Sequence, residues 1–168
     1  KSLLMALLLL VGIVVSTANA VPHGSREQAK RIHDRIAGVP PSAEDLDYMA
    51  GRIEADQPLD AAQRAIENDN FYNITLKTHV SPWTNRDQSQ FVDLNDYIAT
   101  VIGMVYAGDD VRDILSTTNL YTYTGSNPDV ASYSANNNQH YQDVEAANIN
   151  IGEALRNNEF EAVSQQTL

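Results

Sequence analysis

The sequence predicts an all-α fold, an irregular bundle of short helices carrying a long Asn/Tyr-rich surface loop. Apolar residues recur at three- and four-residue spacing through most of residues 25–115, the period of a helix face. Capping residues, glycines and prolines punctuate those runs where helices start and stop. Cysteine is absent, so within these residues stability comes from packing and not from disulfides, which favours a helical domain over a small stapled scaffold.

The chain opens on Lys1 and an apolar run from Leu3 to Val15, and Ala18-Asn19-Ala20 supplies small residues at the positions a signal peptidase reads. Residues 1–20 are therefore expected to be a signal peptide. The run is shorter than the ~20 residues needed to span a bilayer, so no stable membrane insertion is expected after cleavage. The expected destination is export: periplasmic, cell-surface or secreted. A start at Lys1 and a polar, helix-compatible stretch from Glu159 to Leu168 suggest a fragment of a longer protein. The expected organisation is a helical domain at 21–116, an Asn/Tyr-rich loop at 117–139, and a truncated helical segment at 140–168.

Ser25-Arg26-Glu27-Gln28 has capping-box spacing, with Ser25 as N-cap. Ala29, Ile32 and Ile36 follow, and Gly38 with Pro40-Pro41 ends this first helix. The second begins at Ser42 with Glu44 and Asp45 in its first turn, where the helix dipole favours acids, and its apolar stripe is Leu46, Met49, Ala50 and Ile53. Pro58 opens the third, which presents Leu59, Ala62 and Ile66. Phe71 to Val80 fits either a strand or a helix, and the lack of a partner strand nearby favours helix. Ser81 to Asp87 reads as a loop with the single tryptophan. Asn95 caps a helix with Ile98, Val101, Ile102 and Val105 on its face, closed by Gly108, and Asp110 starts a short one. Residues 117–139 are rich in Asn, Ser, Thr and Tyr, a composition that cannot supply a core of its own. Helix resumes with Tyr141, Val144, Ala147, Ile151 and Leu155.

Twenty-two acids against 11 lysines and arginines give a net charge of -11, and such a surface repels phosphate backbones, arguing against nucleic acid and anionic membranes. His23, His33, His79 and His140 are scattered with no pair at metal-ligand spacing, so no metal and no cofactor is expected within the chain. Asn68-Asp69-Asn70 lacks the glycine and distal glutamate of an EF-hand loop. Asp45/Asp47, Asp93/Asp96 and Asp109/Asp110/Asp113 lie near helix starts and read as caps. No serine elbow of the G-x-S-x-G type is present. Asn73-Ile74-Thr75 matches a glycosylation sequon, but within a predicted element.

The segment with most interest is Trp83, Asn85, Arg86 and Asp87, the expected binding residues. Aromatic and amide groups on a loop suit a sugar or a partner surface. The alternative is that Trp83 folds back as a lid over the helical core while the polar three bond the loop's own backbone. The leading expectation is a non-catalytic interaction or scaffold module. The alternative is an exported hydrolase or carbohydrate-active domain using Asp93, Asp96 or Asp110.

The order of elements also carries a resemblance. Arg31 to Leu46, with its Gly38-Val39-Pro40-Pro41-Ser42 break and acids in the next helical turn, resembles the opening of helical domains of uncharacterised function in large exported planctomycete- and myxobacterial-type proteins. Phe71 to Trp83 resembles their aromatic-rich third region. Asp109 to Leu115 is similar to a later short helix, although the phenylalanine that precedes it there is missing. Many of those proteins carry a cytochrome c-like domain. Covering roughly residues 25–116, the resemblance implies a helical module linked to surface electron transfer or polymer breakdown, with a cytochrome-like domain on the same or another chain as partner. It carries over no catalytic residue, and this chain has no C-x-x-C-H, so any haem would lie elsewhere.

Overall fold

The computed structural model describes residues 24–165. The expected signal peptide and His23 lie outside the described residues. The chain is mostly helical, but a two-stranded sheet corrects the all-α expectation. Two apolar clusters form the interior, one small and alanine-rich at the N-terminal end, the other large and aromatic.

Helices α1 (Ser25–Ile36), α2 (Ala43–Glu54) and α3 (Pro58–Ile66) pack together around Ala29, Met49, Ala50, Ala61 and Ala65. The small side chains let the helix backbones approach closely. Gly24, not Ser25, is the N-cap of α1, and the Ser25 hydroxyl instead donates to Glu54 across the bundle at 2.5 Å. Gly38 adopts a φ of 75°, the left-handed geometry that ends a helix cheaply only in glycine. Buried His33 fixes that turn by donating Nδ1–H to the Val39 carbonyl at 2.8 Å. Ser42 caps α2 as expected, its hydroxyl accepting from the Asp45 amide at 3.0 Å. On α3 the inward residues are Ala61 and Ala65, while Leu59 is 82% exposed. The expected stripe was thus rotated, because the larger residue on this short helix is not the one facing its neighbours.

The ambiguous Phe71–Val80 segment is helical but not regular: a π-helical turn, Phe71–Leu76, runs into α4 (Lys77–Val80) and a 3₁₀ turn, Ser81–Trp83. Tyr72 is buried there, edge-on to Phe71 and Tyr106. Asn73 Oδ1 accepts from the Ile151 amide at 2.8 Å and its Nδ2 donates to Asn150 at 2.7 Å. Both ends of this amide are therefore occupied, which agrees with setting the sequon aside.

Helix α5 (Asp96–Ala107) is the centre of the larger core. Ile98 to Met104 are buried without interruption, so the helix is apolar all round and must be covered on every side. Asn95 caps it and Gly108 ends it at φ 76°, as the sequence predicts. A 3₁₀ turn, Val111–Leu115, follows, capped by Asp110.

One cover of α5 is the sheet. Strand β1 (Asn119–Tyr123) pairs antiparallel with β2 (Phe160–Ser164), Tyr121 opposite Ala162. Leu120 and Thr122 point inward on β1. The Thr100 hydroxyl accepts the Tyr121 amide at 3.2 Å and donates back to the Asp96 carbonyl at 2.6 Å. The Tyr121 ring occupies the space where a side chain at Gly103 would lie. Helices α6 (Gln139–Ala146) and α7 (Ile151–Arg156) complete the cover with Tyr141, Val144, Ile151 and Leu155.

The Asn/Tyr-rich stretch is not a bare excursion. Its first part is β1, and its remainder is tied down at Ala131. The Ala131 carbonyl accepts from His140 Nδ1–H at 2.7 Å and its amide donates to Asp143 at 3.0 Å. At its far end Asn138 donates to the Leu94 carbonyl at 2.7 Å, while the Leu94 amide donates to Glu145, also at 2.7 Å.

Two outcomes follow for stability. Gly103→Ala should lower unfolding free energy by about 1–3 kcal/mol in a urea titration, because its methyl group must displace the Tyr121 ring. Asp45 is held below its ordinary pKa of 3.8, first by the Ser42 hydroxyl and then by Arg64, whose Nε lies 2.7 Å away. Its ionised form therefore stabilises the fold above the unfolded pKa, and that contribution is lost as pH falls through the lowered folded value. Asp45→Asn should flatten the drop in melting temperature between about pH 5 and pH 2.

Candidate functional site

Where the Asn/Tyr stretch crosses the start of α5, it leaves grooves that share Asp96. One of about 300 Å³ is lined by Asp96, Leu120, Tyr133, Ala135 and Gln165. A second of about 290 Å³ runs from Asp96 and Tyr133 along Ser134 to Asn138 and on to Tyr141. A third of about 110 Å³ reaches Tyr97, Thr100, Ile114, Thr117 and Asn119 on the other side.

Each wall has a local cause. Asn95 caps α5 with its side chain on the Ile98 amide at 3.1 Å, which sets Asp96 in the first turn. There the helix dipole favours its charge. The exposed Asp96 carboxylate accepts its neighbour's amide, Tyr97 N–H at 2.8 Å, and among the described residues no other hydrogen bond and no salt bridge joins it. Tyr133 is placed by the Ala131 tie and by edge-on rings, 6.1 Å from His140 and 6.0 Å from Tyr141. Burial raises the Tyr133 pKa, and the Asp96 charge raises it further. Tyr141 is raised by the same two causes more strongly, and its hydroxyl donates to the Tyr121 carbonyl at 2.9 Å. None of the three linings includes a lysine, arginine or histidine.

The chemistry available is a carboxylate, two tyrosines and a rim of amides and hydroxyls. Asp96 is the one carboxylate in these linings, whereas general acid–base hydrolysis uses two held across a cleft. Asp93 sits outside, accepting from Gln142 at 2.7 Å. Asp110 is exposed and gripped by its own neighbour Arg112 at 2.8 Å, which holds its pKa down. The structure therefore does not bring Asp93, Asp96 and Asp110 to one cleft. Among the described residues, no three His, Asp or Glu side chains group as metal ligands, and no helix is long and apolar enough to cross a membrane.

The expected binding loop is placed differently. Trp83 is 60% exposed and lies edge-on to His79 at 5.3 Å, so it is no lid over the core. Asn85 does bond the loop's own backbone. Its Nδ2 donates to the Ser81 and Ser89 carbonyls at 2.8 and 2.9 Å, and its Oδ1 accepts the Ser89 amide at 2.8 Å. Arg86 and Asp87 are exposed. In the sequence Asp96 stood out as a helix-start cap and as one acid of the hydrolase alternative, whereas Tyr133, Tyr141 and the amides around it did not stand out. Their only local signal was tyrosine among asparagines, which reads equally well as loop.

A separate groove, of about 470 Å³, lies in the N-terminal bundle, lined by Glu44, Tyr48, Asp60, Gln63, Arg64 and Glu67. Several of its charges are paired: Arg64 meets Asp45 and Glu67, Arg52 lies 3.6 Å from Asp60, and both guanidiniums lie against the Tyr48 ring.

No family model, no curated protein and no solved structure matches the chain.

Asn85→Ala should cost about 1–3 kcal/mol in a denaturant titration, since the Ser89 amide and carbonyl lose their partner while the Ser81 carbonyl keeps Thr84. Asp87→Ala on the same loop should change stability by less than ~0.5 kcal/mol.

Proposed function

We propose that this chain is a non-catalytic binding module of a larger exported protein, taking its ligand in the groove around Asp96. The observation that carries this reading is the groove itself: one carboxylate with no cation beside it, walled by Tyr133 and Tyr141 and rimmed by amides. Such a lining offers orientation and affinity, whereas hydrolysis asks for a second acid or a nucleophile with its base. Export is supported by the pattern of residues 1–20.

The resemblance of residues 25–116 to helical domains of exported proteins supports a supporting role beside a cytochrome-like domain. Charge favours the same kind of partner. Residues 81–165 carry three cations, Arg86, Arg112 and Arg156, against twelve acids. That excess draws a basic surface towards this half of the molecule and speeds encounter.

Incubation of the chain with a panel of polysaccharides and ester substrates, with and without calcium, is expected to release no product. Product formation that disappears in Asp96→Asn or Asp110→Asn would overturn the reading in favour of an exported hydrolase.

A further inference from the structure

We propose that the Asp96 groove receives an alkylammonium group. The inference rests on the reading of that groove as a binding site and adds the chemical class of what enters it.

An ion buried by a ligand must recover the solvation it loses. Among the described residues, the exposed Asp96 carboxylate has no lysine, arginine or histidine in its groove to do so. An anionic ligand would add a second negative charge, and a neutral saccharide would offer only hydroxyl donors. An ammonium supplies the missing countercharge and three N–H donors, which suit a carboxylate and nearby amide carbonyls. Tyr133 contributes a ring beside the charge, the arrangement in which an aromatic quadrupole adds to the attraction.

Asp96 differs in this from two other acids at helix starts. Asp45 is taken by Ser42 and Arg64, and Asp110 by Arg112. Asp96 stands exposed on the first turn of a 12-residue helix with no ion-pair partner among the described residues. Its charge is thereby left available to a ligand. The acid excess of residues 81–165 concentrates cations around this half of the molecule and weakens with salt. The groove at Tyr48, by contrast, already has a cation, Arg64, in its lining.

Two sources carry this chemistry, a lysine side chain on a polypeptide and a free amine. Titration calorimetry on the full chain at low salt separates them. The probes are n-butylammonium, a capped Gly-Gly-Lys-Gly-Gly peptide, the same peptide with its lysine acetylated, and cellobiose as a neutral saccharide. The cationic probes are expected to bind, with acetylation and Asp96→Asn each weakening the peptide by roughly tenfold or more, and Asp110→Asn leaving it unchanged. Tighter binding of the peptide assigns a polypeptide lysine, and tighter binding of n-butylammonium assigns a free amine. Equal binding of the acetylated peptide, or no loss in Asp96→Asn, overturns the proposal. Cellobiose binding that depends on Asp96, with no response to either cation, keeps the groove as a binding site and removes the ammonium. No binding of any probe removes both. Circular dichroism checks that Asp96→Asn is folded. If it is not, Tyr133→Leu retains the carboxylate and is expected to weaken the peptide several-fold, and unchanged affinity there counts against the proposal.

Discussion

The burial of α5 is the constraint from which the rest of the C-terminal half follows. Seven consecutive buried residues, Ile98 to Met104, leave no face of this helix for water. Cover must come from several directions, and the chain supplies it with the π turn and α4 before the helix and the sheet, α6 and α7 after it. Full burial of one large aliphatic side chain is worth about 1.5–3 kcal/mol, so Ile98 and Ile102 alone outweigh any single surface ion pair. Polar ties then decide orientation. Thr100 fixes β1 against the helix, and Glu145 and Asn138 fix Leu94 by its amide and its carbonyl. The groove at Asp96 is a by-product of that cover, formed where the last piece of it crosses the helix start.

Much of the helical order was legible in the sequence because helix signals are local. Ser42, Asn95, Asp110 and Gly108 act where their spacing predicts. The sheet was not legible, and the reason is physical. Leu120 to Tyr123 alternate for too few residues to stand out, and their partner lies some forty residues later. That partner, Phe160-Glu161-Ala162-Val163-Ser164, contains good helix formers and becomes a strand only through pairing. Leu59 illustrates the opposite error: periodicity finds a stripe but not which way a nine-residue helix turns it.

The site was legible only in part for a related reason. Asp96 was visible as a helix-start acid, but its role in a groove depends on Tyr133, which arrives through His140 and Asp143 holding Ala131. Such through-space assembly leaves no spacing in the sequence. Trp83 drew attention because tryptophan is rare and loop tryptophans often bind. Its exposure beside His79 gives it surface but no enclosing wall. Asn85, its neighbour, is spent on shaping the loop.

The alanine seam of the N-terminal bundle sets a different limit on the molecule. Ala29, Ala50, Ala61 and Ala65 bring three helices close, Met49 is the one large fully buried member, and the half-buried Ile32, Ile36, Leu46 and Ile53 pack against the seam. Ion pairs border the seam, Arg64 between Asp45 and Glu67 and Arg52 beside Asp60, and exposed pairs of this kind each add about 0–1 kcal/mol. Dissolved salt screens such exposed pairs, so ionic strength trims only a small increment from a bundle that close contact between side chains already holds.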